Sequence, residues 1–260
     1  MYNYFLNKTK AEVLVDLSKK KLKFKVPKTL FFKVNDWTDQ REVILKKIFI
    51  EFKKNKHVAI RSSAIEEDTE NASNAGKFIS ELNIPLIRKE LISSINKIIK
   101  DYKKTGNKKL YLSNQILIQE MVINTSMSGV IFTKDRDNNT DYYSINYDDI
   151  TGLTHTVTSG LGEYSNKTIF IYRSADDQLR SPRFKQLILA VKDLEKKVKN
   201  NNLDIEFCVT KNFEPYLLQV RKITSNKKID KLFNNKLDKE LNKIEKKILP
   251  RFKRDEKISG

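Results

Sequence analysis

Asp204-Ile205-Glu206-Phe207-Cys208-Val209 and Tyr216-Leu217-Leu218-Gln219-Val220-Arg221 alternate in side-chain character, and Thr210-Lys211-Asn212-Phe213-Glu214-Pro215 between them is rich in turn-forming residues. The pair reads as an antiparallel hairpin. A turn centred between Asn212 and Phe213 puts residues whose numbers sum to 425 opposite one another, so Glu206 faces Gln219 and Asp204 faces Arg221. One face then carries a carboxylate, an amide and a guanidinium together. Such a face is costly in an apolar core. Beside a metal-bound polyphosphate it is useful, because the carboxylate can ligate Mg²⁺ and the guanidinium can grip phosphate oxygens bidentately. Spacing alone equally allows a solvated cross-strand ion pair on an ordinary hairpin.

The chain has 260 residues, enough for one large domain or two small ones with a substantial core. With 39% hydrophobic and 32% charged residues it has the composition of a soluble globular protein. Its apolar runs fall short of the roughly 20 residues that span a bilayer. The opening Met1-Tyr2-Asn3-Tyr4-Phe5-Leu6-Asn7 has no basic region followed by an apolar signal core, so a cytoplasmic location without membrane partners is expected. Cys208 is the only cysteine, which excludes an internal disulfide and a cysteine-based zinc cluster, and two histidines, His57 and His155, argue against a multi-histidine metal site. The formal charge of +18 invites a nucleic-acid reading. Against it, the lysines are spread along the chain, and no zinc-finger spacing, RNP-like aromatic run or basic-zipper pattern accompanies them.

Working outward, helical spacing is expected over Thr9 to Leu17, with Thr9 as cap, over Thr38 to Lys54, with Thr38 as cap, over Leu86 to Tyr102 and over Phe184 to Val198. Strands are expected at 26–34, 57–60, 115–122, 128–133, 142–147 and 168–172. Arg61-Ser62-Ser63-Ala64-Ile65-Glu66-Glu67-Asp68 is expected to be a polar loop running on to Phe78. Strands and helices mixed without strict alternation imply an α+β domain over 1–225. Residues 226–260 carry 12 Lys/Arg against 6 Asp/Glu, and Leu237, Leu241, Ile244 and Ile248 fall at helical spacing, so a basic helical tail or linker is expected there.

Val58-Ala59-Ile60-Arg61-Ser62-Ser63-Ala64, then Glu67-Asp68, Ser73 and Ala75-Gly76, resemble the ATP-binding domain of pyruvate phosphate dikinase, phosphoenolpyruvate synthase and rifampicin phosphotransferase. Ile118-Gln119-Glu120-Met121-Val122 with Ser128-Gly129-Val130-Ile131-Phe132-Thr133 is similar to the family's central strands. Asp204-Ile205-Glu206 with Leu218-Gln219-Val220-Arg221 is similar to its closing hairpin. The blocks occur in family order and span roughly Thr9 to Thr224. Within the family, Thr9-Lys10-Ala11-Glu12 and Tyr143-Ser144-Ile145-Asn146-Tyr147 are most similar to a bacterial branch found with surface-polysaccharide genes, glutamine kinase among them.

The resemblance implies an ATP-grasp fold, two subdomains clamping MgATP, whose phosphoryl group passes to a histidine on a separate domain. It makes Arg61 a phosphate-binding and catalytic arginine, and Lys10 a second phosphate ligand. Glu206 and Gln219 become Mg²⁺ ligands, and Arg221 the transition-state cation, with Asp204 orienting it. Gln119, Glu120 and Met121 fall where backbone groups read the adenine edge. Glu67 and Asp68 fit dipole partners opening a helix as well as metal or substrate contacts. Gly160-Leu161-Gly162-Glu163 is similar to a family loop near the nucleotide. His155 lacks the small neighbours of the family's phosphoryl-carrying histidine, so that histidine is expected from elsewhere in a longer enzyme or from a partner. A nucleotide-binding scaffold without chemistry is the alternative, ahead of a basic nucleic-acid binder.

Overall fold

The computed structural model describes residues 4–64, 80–105, 111–134, 140–151, 157, 167–173 and 179–223, with isolated tail positions 236, 239, 240, 243, 244, 246 and 247. Two antiparallel sheets organise them. The smaller has the order β1-β4-β2-β3, built from β1 (Thr29–Lys33), β2 (His57–Ser63), β3 (Ser80–Pro85) and β4 (Gln115–Glu120). The larger has the order β7-β6-β5-β8-β9, built from β5 (Thr125–Phe132), β6 (Tyr142–Asp148), β7 (Lys167–Tyr172), β8 (Leu203–Thr210) and β9 (Pro215–Lys222). Helices α1 (Lys10–Ser18), α2 (Val34–Glu51), α3 (Arg88–Thr105) and α4 (Pro182–Val198) complete an α+β fold of two subdomains, the architecture an ATP-grasp clamp requires.

Side-chain alternation assigns each sheet face its neighbour. On the smaller sheet Val58, Ile60, Ile116 and Ile118 point into a core shared with Trp37, Leu45 and Ile48 of α2 and Leu91, Ile95 and Ile98 of α3. On the larger sheet Ile131, Ile145, Ile205, Phe207 and Val209 pack against Leu187, Val191, Leu194 and Val198 of α4. Helix α1 touches β1, β4 and β9 and so lies against both sheets. Its Leu14 and Leu17 join the larger core, as does Leu117 from the second face of the smaller sheet.

Helix α1 starts where its sequence expects, at Thr9. The Thr9 hydroxyl accepts from Glu12 N and the Glu12 carboxylate accepts from Thr9 N, a complete capping box. Several expectations need correction. Helix α2 begins at Val34, four residues before Thr38, because Asp36 accepts from Lys33 N and satisfies its first turn. Thr38 instead donates back to Val34 O within the helix, and the backbone kinks at Gln40. The expected strand at 26–34 narrows to β1. Strand β2 does not end at Ile60: Arg61, Ser62 and Ser63 continue it, paired to β4 and buried. Arg61 is therefore a strand residue rather than a loop residue. Strand β3 was not anticipated, since Ser80-Glu81-Leu82-Asn83-Ile84-Pro85 has little apolar alternation; among the described residues it forms as an edge paired to β2.

Glu67, Asp68, Ser73, Ala75, Gly76, His155, the Gly160 to Glu163 loop, Leu237, Leu241, Ile248 and the expected boundary at 225 lie outside the described residues. The described tail positions are helical and exposed. Among the described residues no helix is long and apolar enough to cross a membrane.

Candidate functional site

On β8 the odd-numbered residues Leu203 to Val209 enter the core, so Asp204, Glu206 and Cys208 share the opposite face. Ser128, Val130 and Phe132 of β5 lie opposite them on one side. On the other side β9 places Gln219 opposite Glu206 and Arg221 opposite Asp204, the pairs expected from the sequence. The route to that register differs from the expected one. Near the turn, Val209 faces Pro215, Cys208 faces Tyr216 and Phe207 faces Leu217, pairs that sum to 424 rather than 425. The four-residue connection Lys211 to Glu214 is closed by Phe213 N donating to Thr210 O, the register of these pairs centres on Asn212, and Phe213 takes a left-handed φ of 61°. Leu218 is then an extra residue in β9, a β-bulge that moves the register by one. Without it Leu218 would face Glu206, and every later side chain of β9 would turn to the other face.

The smaller sheet meets this face through its own second side, which carries Ala59, Arg61, Ser63, Gln115, Leu117 and Gln119. Arg61 Nη1 donates to Glu206 Oε2 at 3.0 Å, with side-chain exposures of 9% and 19%. Among the described residues, Arg61 Nε is buried without a hydrogen-bond partner. Gln119, buried, sends Nε2 to Leu218 O at 3.2 Å, so its side chain engages the bulge. Arg221 Nε and Nη2 lie 2.7 and 2.6 Å from Asp204 Oδ2. Thus Arg61, Glu206, Gln219 and Gln119 come together at the junction of the two sheets, with Arg221 and Asp204 two residues along the same face.

Lys10 opens α1 and is buried. A polar network fixes this helix start. Thr9 donates to Gln115 Oε1 at 2.6 Å, Gln115 Nε2 to Glu12 Oε1 at 2.9 Å, and Ala11 N to Ser63 Oγ at 3.1 Å. Tyr102 Oη accepts from Ser63 N and donates to Gln115 O, each at 2.7 Å. Sequence reasoning missed the supporting roles of Gln115, Ser63 and Tyr102, although Gln115 opening an otherwise apolar strand was a visible signal. Glu120 closes β4 with its carboxylate turned away from the junction, toward Asn55 Nδ2 and Lys28 N. Met121 follows it at the start of the connection from β4 to β5, that is, from one sheet to the other.

Chemically, the face offers a carboxylate and an amide oxygen within one cross-strand pair, plus two guanidinium groups. Among the described residues no three His, Cys, Asp or Glu side chains cluster as a self-contained metal site. Mg²⁺ needs no such cluster when phosphate oxygens and water complete its shell. Burial pushes the Cys208 thiol up to about 12, which makes it a packing residue rather than a nucleophile.

The family described as pyruvate phosphate dikinase, AMP/ATP-binding domain, matches residues 35–177. The uncharacterized phosphotransferase YvkC of Bacillus subtilis (strain 168) is 25% identical over 194 residues, 70% of this chain. The chain spans only 22% of that relative's length. Among solved structures, PH1788 from Pyrococcus horikoshii Ot3 is similar over 82% of this chain and 88% of its own, with 15% identity and a TM-score of 0.47. The D-alanyl-alanine synthetase A of Vibrio cholerae is similar over 87% of this chain and 59% of its own, with 13% identity and a TM-score of 0.45.

Proposed function

The chain belongs to the pyruvate phosphate dikinase AMP/ATP-binding domain family, and from that membership we propose that it clamps MgATP between its sheets and passes a phosphoryl group to a histidine on another domain or a partner protein. The observation that carries this reading is the meeting of Arg61 and Glu206 across the two sheets, with Gln219 opposite Glu206. The residues fit the group: Glu206 and Gln219 supply the oxygen donors Mg²⁺ takes, and Arg61 Nε, which has no hydrogen-bond partner among the described residues, suits an incoming phosphate oxygen. Bound there, Mg²⁺ would neutralise charge on adjacent phosphate oxygens.

Each residue then has a task that follows from its chemistry. Arg61 exchanges a carboxylate partner for phosphate, a substitution that keeps its charge paired. Arg221, held in one orientation by Asp204, faces the charge that develops on the transferring group, and a preorganised cation is worth most there. Lys10, on a helix start fixed by Thr9, Gln115 and Ser63, adds a point charge for the phosphates. The adenine edge is read by backbone groups along the Gln119-Glu120-Met121 segment. The phosphorus–oxygen bond to the nucleotide breaks as a phosphorus–nitrogen bond forms on the accepting imidazole.

Glu206→Ala should stay folded by circular dichroism and lose the Mg²⁺ dependence of ATP binding. Unchanged binding in that variant would remove Glu206 from the metal site. Positional isotope exchange in ATP, with a histidine-carrier domain of the family supplied, separates transfer from binding alone. Exchange is expected; saturable binding with no exchange would leave a nucleotide-binding scaffold instead.

A further inference from the structure

We infer that Gln119 is a positioning residue for the metal pair, acting from the smaller sheet through the Leu218 bulge of the larger one; this inference rests on the reading of Glu206 and Gln219 as Mg²⁺ ligands. The register supplies the first step. At the turn end of the hairpin the pairs sum to 424, and that register would set Leu218, not Gln219, against Glu206. Insertion of Leu218 is what brings the carboxylate and the amide face to face.

A bulge disrupts the ladder where it occurs, and a buried backbone carbonyl there needs a donor. Leu218 is 3% exposed, so water is a poor substitute. Gln119 is itself 1% exposed, and its Nε2 reaches Leu218 O at 3.2 Å. Gln119 sits on β4, directly opposite Ala59 of β2, two residues before Arg61. One strand pair of the smaller sheet therefore delivers two groups to the larger: Arg61 onto the Glu206 carboxylate and Gln119 onto the bulge that aligns Gln219 with it. Gln119 thereby couples the separation of the two sheets to the alignment of the metal ligands. A side chain of this position pointed at a nucleotide would leave the bulge carbonyl without this donor.

The test compares ATP affinity with and without Mg²⁺ in wild type, Gln119→Met and Tyr102→Phe. Methionine keeps the length and removes the donor. Tyr102→Phe deletes a different buried hydrogen-bonding group, the one serving Ser63 and Gln115, and reports a loss of stability unconnected with the bulge. The expected result is a Mg²⁺ enhancement of ATP binding, taken as the ratio of affinities with and without Mg²⁺, that falls at least tenfold in Gln119→Met. Tyr102→Phe should lower the melting temperature with the enhancement retained. Equal losses with and without Mg²⁺, or an unchanged enhancement in Gln119→Met, would overturn the inference. Should Gln119→Met not fold, Gln119→Asn, one methylene too short to reach, carries the same comparison. Failure of both to fold would also overturn it, because a local positioning contact is not required for folding. Absence of any Mg²⁺ enhancement in wild type would instead remove the metal assignment on which the inference rests.

Discussion

Arg61 shows how a residue's surroundings decide its use. Its guanidinium is almost wholly buried and paired to Glu206 across the inter-sheet junction, so substitution affects folding as well as binding. Arg61→Met should destabilise by about 3 kcal/mol, the low end for breaking a buried pair, since Glu206 keeps some access to water; urea unfolding would measure it. Cys208 gives a pH-dependent counterpart. An unfolded thiol ionises near pH 9, but the buried one holds its proton to about 12, so the unfolded state binds fewer protons between those values. The thiol's contribution to stability is therefore intact below pH 9 and falls as pH rises toward 12. Below pH 9 native protein should resist iodoacetamide until denaturant is added, and prompt alkylation of folded protein would contradict the burial. Sequence reasoning found Glu206, Gln219, Asp204 and Arg221 in their correct pairs because strand alternation is local information. It did not find that Arg61 and Glu206 partner each other, because that contact joins residues 145 positions apart.

At the scale of elements, boundaries were legible where a side chain satisfies the backbone in the ordinary way. Thr9 with Glu12 marked α1, and Thr9→Ala should cost about 1 kcal/mol through loss of the cap and of its bond to Gln115. A melting temperature unchanged within error would show the cap to be dispensable. Boundaries were illegible where tertiary packing overrides composition. Arg61-Ser62-Ser63 reads as a polar loop, yet Tyr102 and Gln115 give those residues buried partners and extend β2. Strand β3 has only Leu82 and Ile84 in alternation to announce it and pairs with β2. The Leu218 bulge lay below the resolution of the alternation rule. A turn placed half a residue late and a bulge left out cancelled, which is why the right pairs came from the wrong path.

For the whole molecule, two sheets with separate helical layers meet along α1, the Arg61–Glu206 pair and the Gln119–Leu218 contact. Polar groups gathered at that seam would be a poor choice for a purely structural interface, where apolar groups of the same shape serve as well or better. They suit a cleft that exchanges internal partners for an anionic ligand and a divalent cation. The charge of +18 adds long-range attraction for polyanions without choosing among them. Binding that falls steeply with salt and ignores Arg61 and Glu206 would be that nonspecific kind. The most direct test of the clamp is calorimetric titration with ATP, with and without Mg²⁺, of wild type beside Arg221→Ala. The predicted result is saturable binding that Mg²⁺ strengthens and that weakens at least tenfold in the variant. Absence of saturable binding by the wild type, or binding indifferent to both Mg²⁺ and Arg221, would contradict it.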